Sequence, residues 1–216
     1  MRPLVVLVTD PAFGDESTVR RVAAAAAAVP PGTLCVQLRD KQRARASLRA
    51  FACQLRVMTR RVGVGLVVNA DVELARDVGA DGVHLPAGGP AVPRARGVLG
   101  GRAWVSVPAH SDDDVASAAA HGADAVLVSP IFPTRSSSPG GVDHPKMARG
   151  MDALRAARRI APPGLAIYAL GGVDETRAWA CAVAGAHGVA VRGAVLGSVA
   201  PARVVRAIHD SLTRRW

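Results

Sequence analysis

The stretch "GLVVNADVELARDVGADGVHL" (65–85) places two short apolar runs on either side of an alanine-containing, helix-length segment. The outer runs, "GLVVN" (65–69) and "DGVHL" (81–85), are continuous rather than alternating. Continuous runs suit strands buried on both faces, as in a parallel sheet. Asp71 stands directly before "VELARDV", where a helix N-cap belongs and where a carboxylate can accept a free N–H of the first turn. The triplet "GAD" (79–81) ends the segment, with its glycine in the role of a C-cap. The stretch reads as strand, helix, strand.

The same unit recurs from end to end. Further apolar runs are "LVVLVT" (4–9), "LCVQL" (34–38), "AWVSV" (103–107), "DAVLVS" (124–129), "LAIYAL" (165–170) and "HGVAV" (187–191). Ser111 with Asp114 three residues later forms a capping-box pattern, and Asp174 opens "DETRAWACAV". A second "GAD" (122–124) and a "GAH" (185–187) again end helices just before strands. Eight strands alternating with helices predict a single (β/α)8 TIM barrel, one α/β domain over residues 1–216. The competing doubly wound open sheet would place a GxGxxG after its first strand, and none is present.

Composition narrows the class. Half the residues are hydrophobic but only 3% are aromatic, so alanine and valine must build most of the core. The formal charge of +10 is almost entirely arginine, Lys41 and Lys146 being the only lysines. The arginines are spread along the chain in pairs such as Arg60-Arg61 and Arg158-Arg159, a pattern of solvated helix faces rather than a nucleic-acid-binding stripe. Attraction for phosphorylated small molecules remains. Cys35, Cys53 and Cys181 have no metal spacing and read as reduced thiols of a cytoplasmic protein. The apolar start stops at Asp10, too short for a signal peptide, and "RRVAAAAAAVP" (20–30) is too short to span a bilayer.

In such a barrel, function sits at the strand C-termini and the loops after them. That rule selects Gln37, Arg39 and Lys41 after the second strand, Asn69 and Asp71 after the third, and His84 after the fourth. Ser106 and His110 follow the fifth, Ser129 to Ser138 the sixth, and Gly171, Gly172, Arg192 and Gly193 the last two. Alternation in "CVQLRDK" puts Cys35, Gln37 and Arg39 on one face and Val36 and Leu38 on the other. An amide and cations converging on the mouth suit a phosphate or pyrophosphate, although an ordinary charged strand end would look the same. The glycines of "LGGV" and "VRGAV" fit a backbone phosphate site, or simply tight turns. The long segment 129–150 reads as a lid or binding loop, with Thr134, Ser136 and Ser137 offering hydroxyls and Arg135 a charge. Asp71 is read as a helix cap rather than a metal ligand, and His121, His144 and His187 as structural.

In combination, "LVTD", "VQLRDK", "VVNADVELARDVGADGVHL", "AHSDDDVASAAAHGADAVLVSPIFPT", "YALGGV" and "AGAHGVAV" make the chain resemble the thiamine phosphate synthase/TenI family nearly end to end. The family's members are (β/α)8 barrels. The resemblance implies a synthase reaction, in which a hydroxymethylpyrimidine pyrophosphate is joined to a thiazole phosphate. Mg²⁺ is used, pyrophosphate is lost, and the thiazole nitrogen captures the pyrimidine carbocation. Gln37, Arg39, Lys41 and Asn69 fall where the family binds the pyrimidine pyrophosphate. Thr134 and Ser136 fall where hydroxyls hold phosphate, and Gly172 with the backbone around Arg192 and Gly193 falls where the thiazole phosphate sits.

The departures are as specific. The family's "NDR" is "NAD" here, so a Mg²⁺-ligand position holds Ala70. "HxGQxD" becomes "HLPAGG", replacing a glutamine by Ala87 and the second metal aspartate by Gly89. The serine of "SxHS" becomes Pro108, with Ser106 two residues earlier on the same face, and the lysine of "PTxTK" becomes Ser137. Mg²⁺ needs oxygen ligands, commonly one or two carboxylates with substrate phosphates, so the phosphate cradle reads as kept and the metal end as dismantled. The TenI branch, a thiazole tautomerase, needs no Mg²⁺ but uses a histidine where this chain has Pro130. His84 and His110 are the candidate acid/base residues, and the sequence does not choose between them. The expectation is a divergent enzyme of thiamine metabolism, with a tautomerase-like enzyme and a catalytically silent phosphate-ligand binder as alternatives, and a nucleic-acid or acidic-protein binder last.

Overall fold

A computed structural model describes residues 1–86, 91–137 and 143–214, and for 135–137 and 143–146 the backbone alone is considered. Strands β1 (Val5–Val8), β2 (Leu34–Leu38), β3 (Gly65–Asn69), β4 (Gly82–His84), β5 (Trp104–Ala109) and β6 (Ala125–Val128) run in sequence order around a closed parallel barrel. Two further strands, β7 (Thr134–Ser137) and β8 (Asp143–Lys146), stand outside it. The barrel then closes through β9 (Ala166–Leu170) and β10 (Gly188–Val191), with β10 pairing β1. Helices α1 (Asp15–Ala26), α2 (Arg45–Arg61), α3 (Val72–Asp77), α4 (Ala91–Leu99), α5 (Asp112–Ala120), α6 (Gly150–Ile160) and α7 (Ala178–Val183) connect the strands. The short α8 (Gly193–Leu196) and α9 (Pro201–Thr213) follow β10. No helix among the described residues is long and apolar enough to cross a membrane.

The start and stop signals do what their chemistry requires. The Asp71 carboxylate accepts the Leu74 N–H at 2.8 Å at the start of α3. Ser111 and Asp114 form the reciprocal capping box of α5. The segment 129–150 departs from the expectation of a long loop, because Thr134–Ser137 pairs antiparallel with Asp143–Lys146. Neither strand contains an apolar run, so the hydrophobic pattern gives no sign of them.

Each barrel strand has an outward and an inward face. Val36, Leu38, Leu66, Val68, Val105, Val107, Val126 and Val189 pack outward against the helices in one apolar cluster. Val6, Val8, Cys35, Val67, Trp104, Ala125, Leu127, Ala166, Tyr168 and Ala190 form a second cluster inside the barrel. The aromatic rings of Trp104 and Tyr168 meet edge to face at 6.0 Å between centroids. Each pairs across the sheet with a glycine, Trp104 with Gly82 and Tyr168 with Gly188. The Tyr168 hydroxyl donates to the Pro3 carbonyl, which places this aromatic layer at the N-terminal end of the barrel.

The "GAD" aspartates tie neighbouring strands together. Asp81, just before β4, accepts the Leu66 N–H of β3 at 2.8 Å and the guanidinium of Arg56 at 2.7 Å through one oxygen. Asp124, just before β6, accepts the Val105 N–H of β5 at 2.7 Å and Arg96 at 2.9 Å in the same way. In the third copy His187 replaces the aspartate and lies edge-on to Tyr168 at 5.6 Å.

Gly188 is the position where space decides most. An added Cβ would overlap the Leu4 carbonyl and come within 2.9 Å of the Tyr168 ring. Gly188→Ala is therefore expected to cost about 3 kcal/mol, the upper end for overpacking a filled core, read as a lowered urea midpoint at unchanged slope.

Candidate functional site at the barrel mouth

Inward parity continues upward from the apolar layers into a polar one. Asn69, His84 and Ser106 are direct partners on β3, β4 and β5. Gln37 on β2 reaches Asn69 diagonally, its Nε2 donating to Asn69 Oδ1 at 3.0 Å. This contact leaves the Gln37 carbonyl as an acceptor and the Asn69 amide as a donor for a ligand. Gln37, His84 and Ser106 are all buried. Among buried polar side chains a fixed partner is the rule, and His84 Nδ1 lies 2.9 Å from Ser106 Oγ.

A cationic group lies beside this layer. The Arg39 N–H donates to Thr9 Oγ1 at 2.8 Å, and the Thr9 hydroxyl donates back to the Arg39 carbonyl at 3.3 Å, locking the ends of β1 and β2 together. Burial, and then the charge of neighbouring Arg192, holds the Arg39 guanidinium below its ordinary pKa. Arg192 pairs with Asp10 at 3.3 Å, while Asp10 also caps the turn at Ala12. Asp40 is taken by Arg43 at 2.9 Å, and Arg43 is held again by Asp15 at 2.7 Å. Arg39 and Arg192 thus stand near enough to repel one another, with Asp10 paired to Arg192, an arrangement that favours an incoming anion.

The two candidate histidines differ sharply. His84 is pushed down to about 4 from 6.5, first by burial and then by the charge of Arg39, so it is neutral at physiological pH. His110 is exposed, its ring Nδ1 sits 3.1 Å from the Ser129 carbonyl, and its backbone N–H donates to Asp114 at 2.6 Å. A carbonyl only accepts, so Nδ1 of His110 is the donor in this contact, and the neutral ring would carry its lone pair on Nε2.

The remaining predicted residues are more scattered. Lys41 is exposed in the bend after β2. Thr134 lies on β7, as do Arg135 and Ser136, whose side chains fall outside the described residues together with Ala87 and Gly89. Gly171 and Gly172 follow β9 with φ of +95° and +64°. A Cβ on them would come within 2.8 Å of Pro130 and 2.7 Å of Phe132, so close packing against the segment after β6 already requires these glycines. Gly193 opens α8 with no atom within 4 Å of where its Cβ would be. Sequence reasoning missed Thr9 and Asp10, although both stand at a strand C-terminus as the barrel rule demands. Ser106, two residues before Pro108 on the same face, is level with His84 by register.

The donors present do not fit Mg²⁺. Position 70 is alanine, and Asp71 is occupied by the Leu74 N–H at 2.8 Å and Arg45 at 3.0 Å. Asp10 is engaged by Arg192, and no group of three or more His, Cys, Asp or Glu able to hold a metal exists among the described residues. Ala70 itself sits at φ +65°, the left-handed region, where glycine, asparagine and aspartate are at ease and alanine is strained.

Known proteins place this geometry in context. A family model described as thiamine monophosphate synthase matches residues 5–195. A thiamine-phosphate synthase of Moorella thermoacetica is 32% identical over 98% of this chain and 96% of its own length. One from Chloroflexus aurantiacus is 36% identical over 84% of this chain and 82% of its own. Among solved structures, a thiamine phosphate pyrophosphorylase from Pyrococcus furiosus superposes with a TM-score of 0.79 at 21% identity, covering 98% of this chain and 96% of that one, a likeness of fold.

Two outcomes follow from the mouth's electrostatics and backbone. His84 has a lowered folded pKa, so the unfolded chain takes up its proton first as pH falls. Stability should drop from pH 6.5 towards pH 4 and level off below, with a full contribution of roughly 3 kcal/mol from this residue. Urea titrations across that window should show a smaller drop for His84→Gln than for the natural protein. Ala70→Gly should relieve the left-handed strain and raise stability by about 1 kcal/mol, checked by thermal melting.

Proposed function

The chain belongs to the thiamine monophosphate synthase family, and from that premise we propose that its barrel mouth binds that family's phosphorylated heterocycles, a thiazole phosphate or a pyrimidine pyrophosphate, while coupling the two inefficiently. The observation carrying this reading is the contrast within one mouth. The amide pair Gln37–Asn69 and the guanidiniums of Arg39 and Arg192 are in place, whereas the residue next to Asn69 is Ala70. The free acceptor of Gln37 and free donor of Asn69 suit the hydrogen-bonding edge of a flat heterocycle. The guanidiniums of Arg39, whose backbone is tied to Thr9, and of Arg192, paired with Asp10, suit its phosphate oxygens.

Departure of pyrophosphate from a pyrimidine methylene needs the developing negative charge offset. The side chains present offer the two guanidiniums of Arg39 and Arg192 for this, and the carboxylates that would bring in a divalent cation are missing at positions 70 and 89. Binding therefore outlasts turnover. The protein acts as one cytoplasmic domain on small molecules.

A second reading has its own support. With Nδ1 turned to the Ser129 carbonyl, the neutral form of His110 would present a lone pair on Nε2 beside the mouth, as a metal-free proton shift on a thiazole carboxylate phosphate would need.

The test is to incubate the purified protein with both synthase substrates, with and without Mg²⁺, and to measure thiamine phosphate alongside the melting temperature with each substrate alone. A ligand at a hundred times its Kd should add about 2.7 kcal/mol of stability. Arg39→Ala should abolish that shift. Turnover is expected to be slow and nearly indifferent to Mg²⁺, and Ala70→Asp combined with Gly89→Asp should make it Mg²⁺-dependent. Rapid Mg²⁺-dependent synthesis by the natural protein would overturn the dismantled metal end. Absence of stabilisation by either substrate would overturn the binding site itself. Isomerisation of the thiazole carboxylate phosphate, lost in His110→Ala, would establish the second reading.

A further inference from the structure

Ser106 and His84 form a pair whose protons can be counted. Ser106 is fully buried and His84 is 9% exposed. The Ser106 hydroxyl has one hydrogen-bond partner among the described residues, Nδ1 of His84 at 2.9 Å. A hydroxyl carries one proton that must be donated somewhere, and a buried donor without an acceptor costs about 1–3 kcal/mol. If the histidine donated through Nδ1–H, the serine proton would be stranded in the barrel wall. If the serine donates, Nδ1 is the acceptor, both groups are satisfied, and the ring proton is on Nε2.

From this accounting we propose that Ser106 is a positioning residue that fixes His84 as its Nε2–H tautomer, so that His84 meets a ligand as a hydrogen-bond donor and not as a base. The proposal rests on the reading of the mouth as the ligand site, because it states what one of that site's side chains presents. Asn69 flanks His84 on β3 and contributes an amide donor; Arg39 contributes a positive charge. His84 therefore joins a set of donors and cations, and the matching ligand atom is an acceptor, a phosphate oxygen or an unprotonated ring nitrogen. His110 has the opposite arrangement, its Nδ1 donating to the Ser129 carbonyl, so of the two neutral rings it is His110 that would offer Nε2 as a proton acceptor.

The tautomer can be read in the free protein by long-range proton–nitrogen NMR of the ¹⁵N-labelled full chain near neutral pH. The six imidazoles are assigned by removing them singly, beginning with His84→Gln. His121, whose Nδ1 lies 2.8 Å from the Ser117 carbonyl, serves as the internal reference for the Nδ1–H form. The expected result is a neutral His84 with protonated Nε2 and bare Nδ1. Ser106→Ala should convert this into a mixture of tautomers while the rest of the spectrum stays native, and Ser106→Thr, which keeps the hydroxyl, should restore the single form. An Nδ1–H pattern for His84 in the natural protein would overturn the proposal, as would an unchanged pattern in folded Ser106→Ala. Inorganic pyrophosphate is the probe of the donor role, expected to shift the His84 Nε2–H resonance. If the tautomer is as stated and pyrophosphate moves no resonance of the mouth, the ligand site is wrong and the Ser106 lock stands.

Discussion

Everything at this protein's mouth depends on the strict alternation of side chains along strands that close into a barrel. Once β10 pairs with β1, every second residue of each strand has no direction to face but inward. The apolar interior is filled by Trp104 and Tyr168, each set against a glycine on the next strand, and by Val6, Val8, Cys35, Val67, Leu127 and three alanines, Ala125, Ala166 and Ala190. Two aromatic rings suffice because their glycine neighbours give them the width of two strands. With the bottom sealed by apolar atoms, inward polar groups are tolerated only at the C-terminal ends of the strands. Gln37, Asn69, His84 and Ser106 occupy that layer on four consecutive strands.

The strands and the capping signals were legible because each is a local matter. "GLVVN" and "DGVHL" are apolar without a break, and Asp71 and Ser111 can reach the amides of their own first turns without help from the rest of the fold. Contacts made at long sequence separation were not legible. Asp81 and Asp124 read only as the ends of helix-stopping triplets, yet each also joins an amide of the preceding strand to an arginine of a flanking helix. The hairpin of β7 and β8 carries no hydrophobic period at all. Ser106 shows the limit most clearly: parity fixed its face, but its depth relative to His84 is a matter of register between β4 and β5, which no single strand encodes.

The net charge of +10 acquires a different meaning once partners are counted. Arg43, Arg56, Arg96 and Arg155 each hold a carboxylate within 3 Å, mostly between neighbouring helices and strand ends. These pairs spend cationic charge on tying the shell together. Arg39 and Arg192 stand apart because they lie close enough to repel, and burial together with that repulsion outweighs the attraction of Asp10 and Asp40 on Arg39. The mouth is thus locally electropositive for a structural reason independent of the overall excess. A concentrated pair of guanidiniums at a concave strand end fits a compact phosphate better than an extended polyanion, which would be gripped by charges set out along a surface.

Such a mouth sets a condition on His84. A protonated imidazole there would be a third cation, buried and beside Arg39, and the protein resists it. A neutral ring still has two distinct faces to offer, and Ser106 removes the ambiguity by occupying one nitrogen. What remains is direction without charge: a donor that can orient an acceptor already drawn in by the guanidiniums. The backbone at Ala70 makes the complementary point. Its left-handed conformation is one that aspartate adopts readily and alanine does not, so the main chain here would accept a carboxylate with less strain than it accepts the alanine. The polar layer of the mouth rests on hydrogen bonds and pairs internal to the barrel. A carboxylate at position 70 would add only a side chain to this main chain, leaving the strands beneath it as they are.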